Sequence, residues 1–115
     1  WGRLLQKSGK NMGYKVVLTD PAREQFEQII YYILYQLGNE QAADNVIRDA
    51  DGTKLCLSHI AGNLKLCEDT KLRALGYRTI HFKQHKYFML YRIDGNTVYV
   101  DGIYHDLQDY ENLAQ

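Results

Sequence analysis

Histidines are the side chains of this sequence best suited to proton transfer, and three of the four fall in its C-terminal part: His81, His85 and His105. An imidazole titrates near neutral pH, so one ring can accept a proton while another donates one. Further polar groups stand in the same stretch, namely a phenol at Tyr91 and a guanidinium at Arg92. Together these side chains form a candidate acid–base set, provided that the fold brings them to one surface.

Three consecutive strands must position this set. The segments Tyr77–Phe82, Tyr87–Ile93 and Thr97–Tyr104 are rich in β-branched and aromatic residues, and Asp94-Gly95-Asn96 between the last two is typical of a tight hairpin. The sequence therefore predicts an antiparallel meander. Its middle strand is apolar on both faces, which predicts a central position in the sheet.

Alternation along the outer strands divides their side chains between two faces. Apolar residues such as Ile80, Phe82, Val98 and Val100 share one face, which requires a helical cover. The other face is predicted to be polar and to present these side chains: Tyr77, Thr79, His81, Tyr99, Asp101, Ile103 and His105.

Upstream of the meander, the pattern predicts a short strand and two antiparallel helices. The strand covers Tyr14–Thr19, and Asp20-Pro21 supplies an N-cap oxygen and a first-turn proline. One apolar stripe then recurs at helical spacing, and Gly38 is placed to end that helix in a left-handed C-cap. The stripe consists of Phe26, Ile29, Ile30, Ile33, Leu34 and Leu37.

Asn39 is predicted to cap the second helix, whose apolar face is Ala43, Val46, Ile47, Ala50 and Leu57. Residues 58–75 show no regular apolar spacing and are expected to form a loop whose apolar residues pack on the core. A short terminal helix is predicted over residues 106–113. Tyr31, Tyr32 and Tyr35 lie off the first helix's stripe, which favours packing against the second helix or a partner protein.

Length and composition predict one domain over residues 12–115, with residues 1–11 as an extension. The order of the predicted elements, a strand, two helices and then a meander, predicts the α+β class. The chain has 115 residues, 45% of them hydrophobic, and its 14 basic and 14 acidic residues cancel. A zero net charge argues against binding nucleic acid chiefly by phosphate neutralisation. Cys56 and Cys67 have no metal-ligand spacing and follow no signal peptide, so we expect reduced thiols, a cytoplasmic location and no metal or organic cofactor.

The chain resembles the RelE/ParE family of toxins from type II toxin–antitoxin systems. The resemblance covers Met12–Ala114 and is carried by five segments: Tyr14–Ala22, Leu37-Gly38-Asn39, Gly76-Tyr77-Arg78, Tyr91–Val100 and His105-(x)3-Asp109-Tyr110. It implies an antiparallel sheet, formed by the N-terminal strand and the meander and covered on one face by the helical hairpin. It also implies a cognate antitoxin as partner and one of two cellular targets.

RelE-like members cut mRNA on the ribosome with lysines, arginines and a C-terminal tyrosine, whereas other nuclease members use histidines and acids. A resemblance to the nuclease members would make His81, His105, Arg92 and Tyr91 catalytic. RNA binding would then fall to Lys83, His85, Arg78 and Tyr110, with Asp106 or Asp109 beside the histidines. However, Phe88 stands where the RelE pattern has arginine. ParE-like members instead bind DNA gyrase, and there His105 would be structural and the other histidines solvated.

A third alternative is an inert toxin homologue that acts only as an antitoxin-bound repressor of its own operon.

Overall fold

The computed structural model of the chain describes residues 13–107. Within this range four strands and three α-helices follow one another along the chain: β1 (Lys15–Leu18), α1 (Asp20–Tyr31), α2 (Glu40–Ile60), α3 (Thr70–Ala74), β2 (Arg78–His81), β3 (Tyr87–Asp94) and β4 (Thr97–His105). A π-helical turn, Tyr32–Gln36, extends α1, and a 3₁₀ turn, Ala61–Asn63, follows α2. The predicted α+β class and meander are confirmed. The predicted extension over residues 1–11 lies outside the described residues.

The four strands form one sheet in the order β1-β4-β3-β2, so β3 is an inner strand as predicted. Both meander pairs are antiparallel. The expectation that β1 is also antiparallel is wrong, because it runs parallel to β4 with Lys15 opposite Thr97. The helical hairpin and the meander together form the long crossover that a parallel pair requires.

A β-bulge in β4 changes the predicted division of side chains. Leu90 faces Gly102 while its neighbour Tyr91 faces Val100, which leaves Asp101 as the extra residue. Beyond it the alternation is shifted by one position. Ile103 therefore joins Val100 in the core, and the prediction that it faces the other way is wrong.

The hairpin of α1 and α2 packs on one face of the sheet, here called the helix side. As predicted, Gly38 has a positive φ of 62° and Asn39 accepts a hydrogen bond from the Ala42 amide at 2.9 Å. Helix α1 begins one residue earlier than predicted, with Thr19 at the N-cap position and no side-chain cap bond.

Two of the predicted core positions on the helices are exposed. The π-helical turn adds a residue before Leu37, whose amide donates to the Tyr32 carbonyl, and this turns Leu37 outward to 59% exposure. On α2, Ile47 is 37% exposed, while Thr53 is buried and donates to the Asp49 carbonyl.

The opposite face of the sheet, here called the back face, has a smaller apolar cluster. Leu72 of α3 packs there with Phe88, Leu90 and Tyr104. Residues 58–75, predicted as a loop, thus include the end of α2 and the short helix α3, whose N-cap Asp69 accepts from the Leu72 amide. The predicted terminal helix falls largely beyond residue 107, outside the described residues.

Candidate functional site

Tyr91 is a core residue rather than a surface phenol. It is fully buried on the helix side, and its hydroxyl donates a 2.8 Å hydrogen bond to the carbonyl of Ala61. Burial raises the pKa of Tyr91 far above its ordinary value. The expectation that Tyr91 shares an open face with the histidines is therefore wrong, because β3 packs its odd-numbered side chains under the helices.

Arg92 lies on the back face in a network organised by the bulge residue. Its Nε donates to Asp101 Oδ2 at 2.8 Å, and the Tyr77 hydroxyl donates to the same oxygen at 2.6 Å. The guanidinium carbon lies 4.6 Å from the centroid of the Tyr99 ring. The hydrogen bond to Asp101 raises the pKa of Arg92, so this cation is permanent and its orientation is restrained.

His81 is also on the back face, at the end of β2. Its Nδ1 lies 3.3 Å from Asp106 Oδ1, and its ring contacts Phe88 at a centroid distance of 5.5 Å. With a side-chain exposure of 65%, this imidazole is open to solvent. A carboxylate that orients an accessible imidazole is compatible with general-base chemistry.

His85 and Lys83 belong to the loop between β2 and β3, and this loop is fastened to α2 by Asp49. The Asp49 carboxylate accepts from the amides of Lys83 and Gln84 at 3.2 and 2.9 Å, and its Oδ2 lies 2.7 Å from His85 Nδ1. Burial acts to raise the pKa of Asp49, but these hydrogen bonds outweigh it and the pKa lies below its usual value. His85 thus has a structural partner 36 residues away in sequence.

His105 lies on the helix side, opposite Tyr87 in the strand register, and the two rings meet edge to face at 5.4 Å. Its Nδ1 accepts a hydrogen bond from the Leu107 amide at 3.1 Å. The bulge places His105 on this side. His81 and His105 consequently lie on opposite faces of the sheet, contrary to the expectation that they share one.

Arg78 turns to the helix side as well, where its Nε donates to the carbonyl of Leu64 at 2.8 Å. Tyr110, the other predicted RNA-binding residue, lies outside the described residues. The structure therefore brings together His81 and Lys83 but separates them from Tyr91, His105 and Arg78. The single working surface predicted from alternation is not formed.

Two clefts open beside these residues. The first, of about 630 Å³, lies between α2 and the edge strand β2 and includes His81, Lys83, Arg48 and Cys56 in its walls. The second, of about 510 Å³, lies between α1 and the ends of β3 and β4 and includes Tyr32, Tyr87 and His105. In the part of the chain that the structure describes, no three His, Cys, Asp or Glu side chains form a metal-binding cluster.

Sequence reasoning missed Asp49, and it placed Tyr77 and Asp101 on the polar face without finding the hydrogen bonds that join them to Arg92. Asp49 could have been found, because it lies between Val46 and Thr53 on the inward side of α2, where a carboxylate requires a partner. The Asp101-Gly102 pair inside an apolar strand was the available signal for the bulge.

Chains in solved structures of toxin–antitoxin systems share this fold. The chain is similar to a chain of a chromosomal ParDE toxin–antitoxin system from P. aeruginosa, with a TM-score of 0.65 and 16% identity over 80% of this chain and 95% of that one. It is also similar to a chain of the RelBE2 toxin–antitoxin complex from Mycobacterium tuberculosis, with a TM-score of 0.53 and 23% identity over 81% and 98% of the two chains. No curated protein sequence matches it.

The family model described as the ParE toxin of the type II toxin–antitoxin system parDE matches residues 16–110. The chain therefore belongs to the ParE toxin family, and the predicted RelE/ParE assignment is confirmed. Among the described residues no helix is both long and apolar enough to cross a bilayer.

Proposed function

We propose that this type II toxin acts in the cytoplasm by binding DNA gyrase and stabilising its cleaved-DNA state, and that a cognate antitoxin neutralises it. The observation that carries the proposal is the dispersal of the candidate acid–base groups. His81 and Arg92 lie on the back face, whereas His105 lies on the helix side and Tyr91 is buried there against the 3₁₀ turn. Cleavage of RNA through its 2′-hydroxyl requires an acid and a base that both reach one phosphodiester.

The restraint on Arg92 supports the same proposal. Its Nε already binds Asp101, a carboxylate that is only 21% exposed, and its guanidinium stacks on Tyr99. Stabilising a phosphate in a transition state requires a cation whose charge is not already compensated. A protein of zero net charge whose Arg92 is engaged in this way is better suited to binding a protein target than to RNA chemistry.

The test combines growth, gyrase and ribosome assays on the whole chain. We expect its induction to arrest growth and switch on the DNA-damage response. We also expect the purified chain to increase covalent gyrase–DNA complexes on a plasmid, seen as linear DNA after detergent and protease treatment. His81→Ala should change this yield by less than about twofold. Normal gyrase products together with a cleaved reporter message on purified ribosomes would refute the proposal, and unimpaired growth would favour the inert repressor.

One observation favours mRNA cleavage as a second candidate. His81, which pairs with Asp106, lines the larger cleft, where Lys83 supplies a cation. If this site cleaves RNA, His81→Ala abolishes cleavage of a translated message. His59→Ala, at an exposed position on α2, is the matched control and leaves cleavage intact.

A further inference from the structure

The larger cleft follows the line along which α2 and the edge strand β2 lie side by side. Helix α2 contributes the residues of one wall, from Asn45 to Ile60, and β2 with the loop after it contributes the other, from Ile80 to Gln84. From Asp49 to Ile60 the helix advances about 16 Å, at roughly 1.5 Å per residue. The volume of about 630 Å³ lies within the range of roughly 300–1,000 Å³ that is typical of small-molecule sites. We call this cavity the α2–β2 cleft.

The α2–β2 cleft is polar at one end and apolar further along. At the polar end, Asp49 fastens the loop after β2 to the helix, and Lys83 and Gln84 line the cleft there. Further along, Ile60 and Ile80 supply apolar walls. A ligand that is complementary to both parts carries a charged group on a less polar body.

Lys83 gives the polar end a positive charge. Its side chain is exposed, and in the part of the chain that the structure describes no ion pair engages it. The carboxylate of Asp49 is compensated, because it accepts hydrogen bonds from two loop amides and contacts His85. Arg48 also lines the cleft, but it is paired with Asp44 at 3.0 Å. The available cation is therefore one ammonium group, which favours an anion of low charge such as a single phosphate.

Gly52 lies in the middle of the α2 wall, in the interior of the helix. Glycine is less stable than alanine at such a position, because it loses more backbone freedom on folding. A methyl group built on Gly52 meets no atom within 4 Å, so no packed neighbour excludes a side chain there. Without a side chain, the cleft stays open at its centre and a flat group can lie directly against the helix backbone.

The edge strand adds backbone hydrogen-bonding groups beside the cleft. The Phe82 amide donates to the Tyr87 carbonyl at 2.8 Å, so Phe82 directs its backbone groups toward β3. These directions alternate along an antiparallel strand, so the N–H and C=O of His81 point to the outer edge of the sheet. A donor and an acceptor side by side match the edge of adenine, where an amino group adjoins a ring nitrogen.

We propose that the α2–β2 cleft binds adenosine monophosphate. The phosphate lies at Lys83, the base lies flat against the backbone at Gly52, and the edge of the base meets the backbone of His81. One cation and one phosphate are thereby matched in number. This inference concerns a small-molecule site and does not depend on which cellular target the toxin has.

Alkylation of Cys56 reports whether the cleft is occupied. The chain has two cysteines, of which Cys56 is exposed and lines the cleft, whereas Cys67 is buried. We expect saturating adenosine monophosphate to slow the reaction of the whole chain with iodoacetamide at least fivefold, and calorimetry to give one site. Adenosine or inorganic phosphate at the same concentration should slow the reaction less than twofold. No saturable binding of adenosine monophosphate, or equal protection by inorganic phosphate, would overturn the proposal.

Variants locate the site. Lys83→Gln removes the cation and should weaken binding at least tenfold. Lys86→Gln is the matched control, because Lys86 is exposed in the same loop but outside the cleft, and it should change the affinity less than twofold. Gly52→Leu fills the centre of the cleft and should abolish binding, with folding checked by circular dichroism. Unchanged affinity in Lys83→Gln or in folded Gly52→Leu would refute the site.

Gly52→Ala separates an effect on the ligand from an effect on the helix. It should raise the thermal midpoint of the free protein, because alanine is the better helix former, and yet weaken adenosine monophosphate at least threefold. This variant also replaces Gly52→Leu if the latter unfolds. A tighter complex in the more stable variant would contradict the placement of the base against Gly52.

An RNA strand offers the same base and sugar, but it links them by phosphodiesters. A tetranucleotide with an internal adenosine therefore distinguishes the two sources of this chemistry. We expect adenosine monophosphate to bind at least tenfold more tightly than the tetranucleotide. Tighter binding of the tetranucleotide would assign the cleft to RNA, against the proposal.

Discussion

Replacing Asp49 with alanine should loosen the attachment between α2 and the loop that follows β2. The carboxylate is only 6% exposed and receives hydrogen bonds from two loop amides and from His85. A hydrogen bond to an ionised acceptor contributes about 1.5–3 kcal/mol, but water can reach the loop amides once the carboxylate is gone. We therefore expect Asp49→Ala to lower the free energy of unfolding by about 2–3 kcal/mol in total.

Urea unfolding at pH 7 measures this change. With an m-value of about 1–2 kcal/mol/M, the midpoint should fall by roughly 1–2 M at unchanged slope. Asp51 is an exposed carboxylate on the same helix, so Asp51→Asn is the control. Its free energy of unfolding should stay within about 0.5 kcal/mol of the wild-type value. A loss below about 0.5 kcal/mol in Asp49→Ala would refute the claim that these bonds hold the loop.

The pH dependence supplies an independent check. The pKa of Asp49 is lowered in the folded state, so its ionised form stabilises the fold wherever the unfolded carboxyl, with a pKa of about 3.9, is also ionised. Below about pH 5 the stability difference between wild type and Asp49→Asn should shrink as the pH falls through the lowered pKa. A difference that grows between about pH 5 and pH 3 would contradict this account.

Two further predictions concern packing on either side of the sheet. Tyr91→Phe leaves the buried carbonyl of Ala61 without its hydrogen-bond donor, so the free energy of unfolding measured by chemical denaturation should fall by about 1–2 kcal/mol. Gyrase poisoning should persist in this variant. If Tyr91 had a nuclease role, the variant would lose its toxicity instead. Gly102→Ala places a methyl group against the Tyr104 ring and should lower the free energy of unfolding by about 1–3 kcal/mol. In contrast, Gly52 on α2 faces open space, so Gly52→Ala should raise the free energy of unfolding by about 0.5–1 kcal/mol. Equal thermal midpoints for the two glycine variants would refute the packing argument.

The elements of this fold were predictable because their signals are local. Apolar periodicity located both long helices, and Gly38 and Asn39 marked the link between them through their backbone and capping preferences. The strands of the meander were located within a few residues. Local patterns also indicate that β1 exists, but its parallel pairing with β4 is a tertiary choice that no local signal specifies.

The candidate site was less predictable, since it depends on which side of the sheet each side chain occupies and not only on where the strands and helices lie. One extra residue at Asp101 exchanges the faces of all later residues in β4, so strict alternation placed His105 on the wrong side. The π-helical turn likewise breaks the regular helical spacing, so the periodicity that predicted a buried Leu37 placed it on the wrong side of the helix. The partner of His85 lies on α2, and a contact between such distant segments follows only from the folded arrangement.

The parallel contact between β1 and β4 also constrains the order of assembly during synthesis. Lys15 pairs with Thr97, and at about 5–20 residues per second the ribosome needs roughly 4–16 seconds to polymerise the intervening segment. Throughout that interval the first strand has no neighbour to receive its backbone hydrogen bonds, and the hairpin behind it has no finished sheet to cover. A nascent toxin therefore completes its architecture only once the fourth strand has emerged, and until then it exposes the apolar surface that chaperones bind.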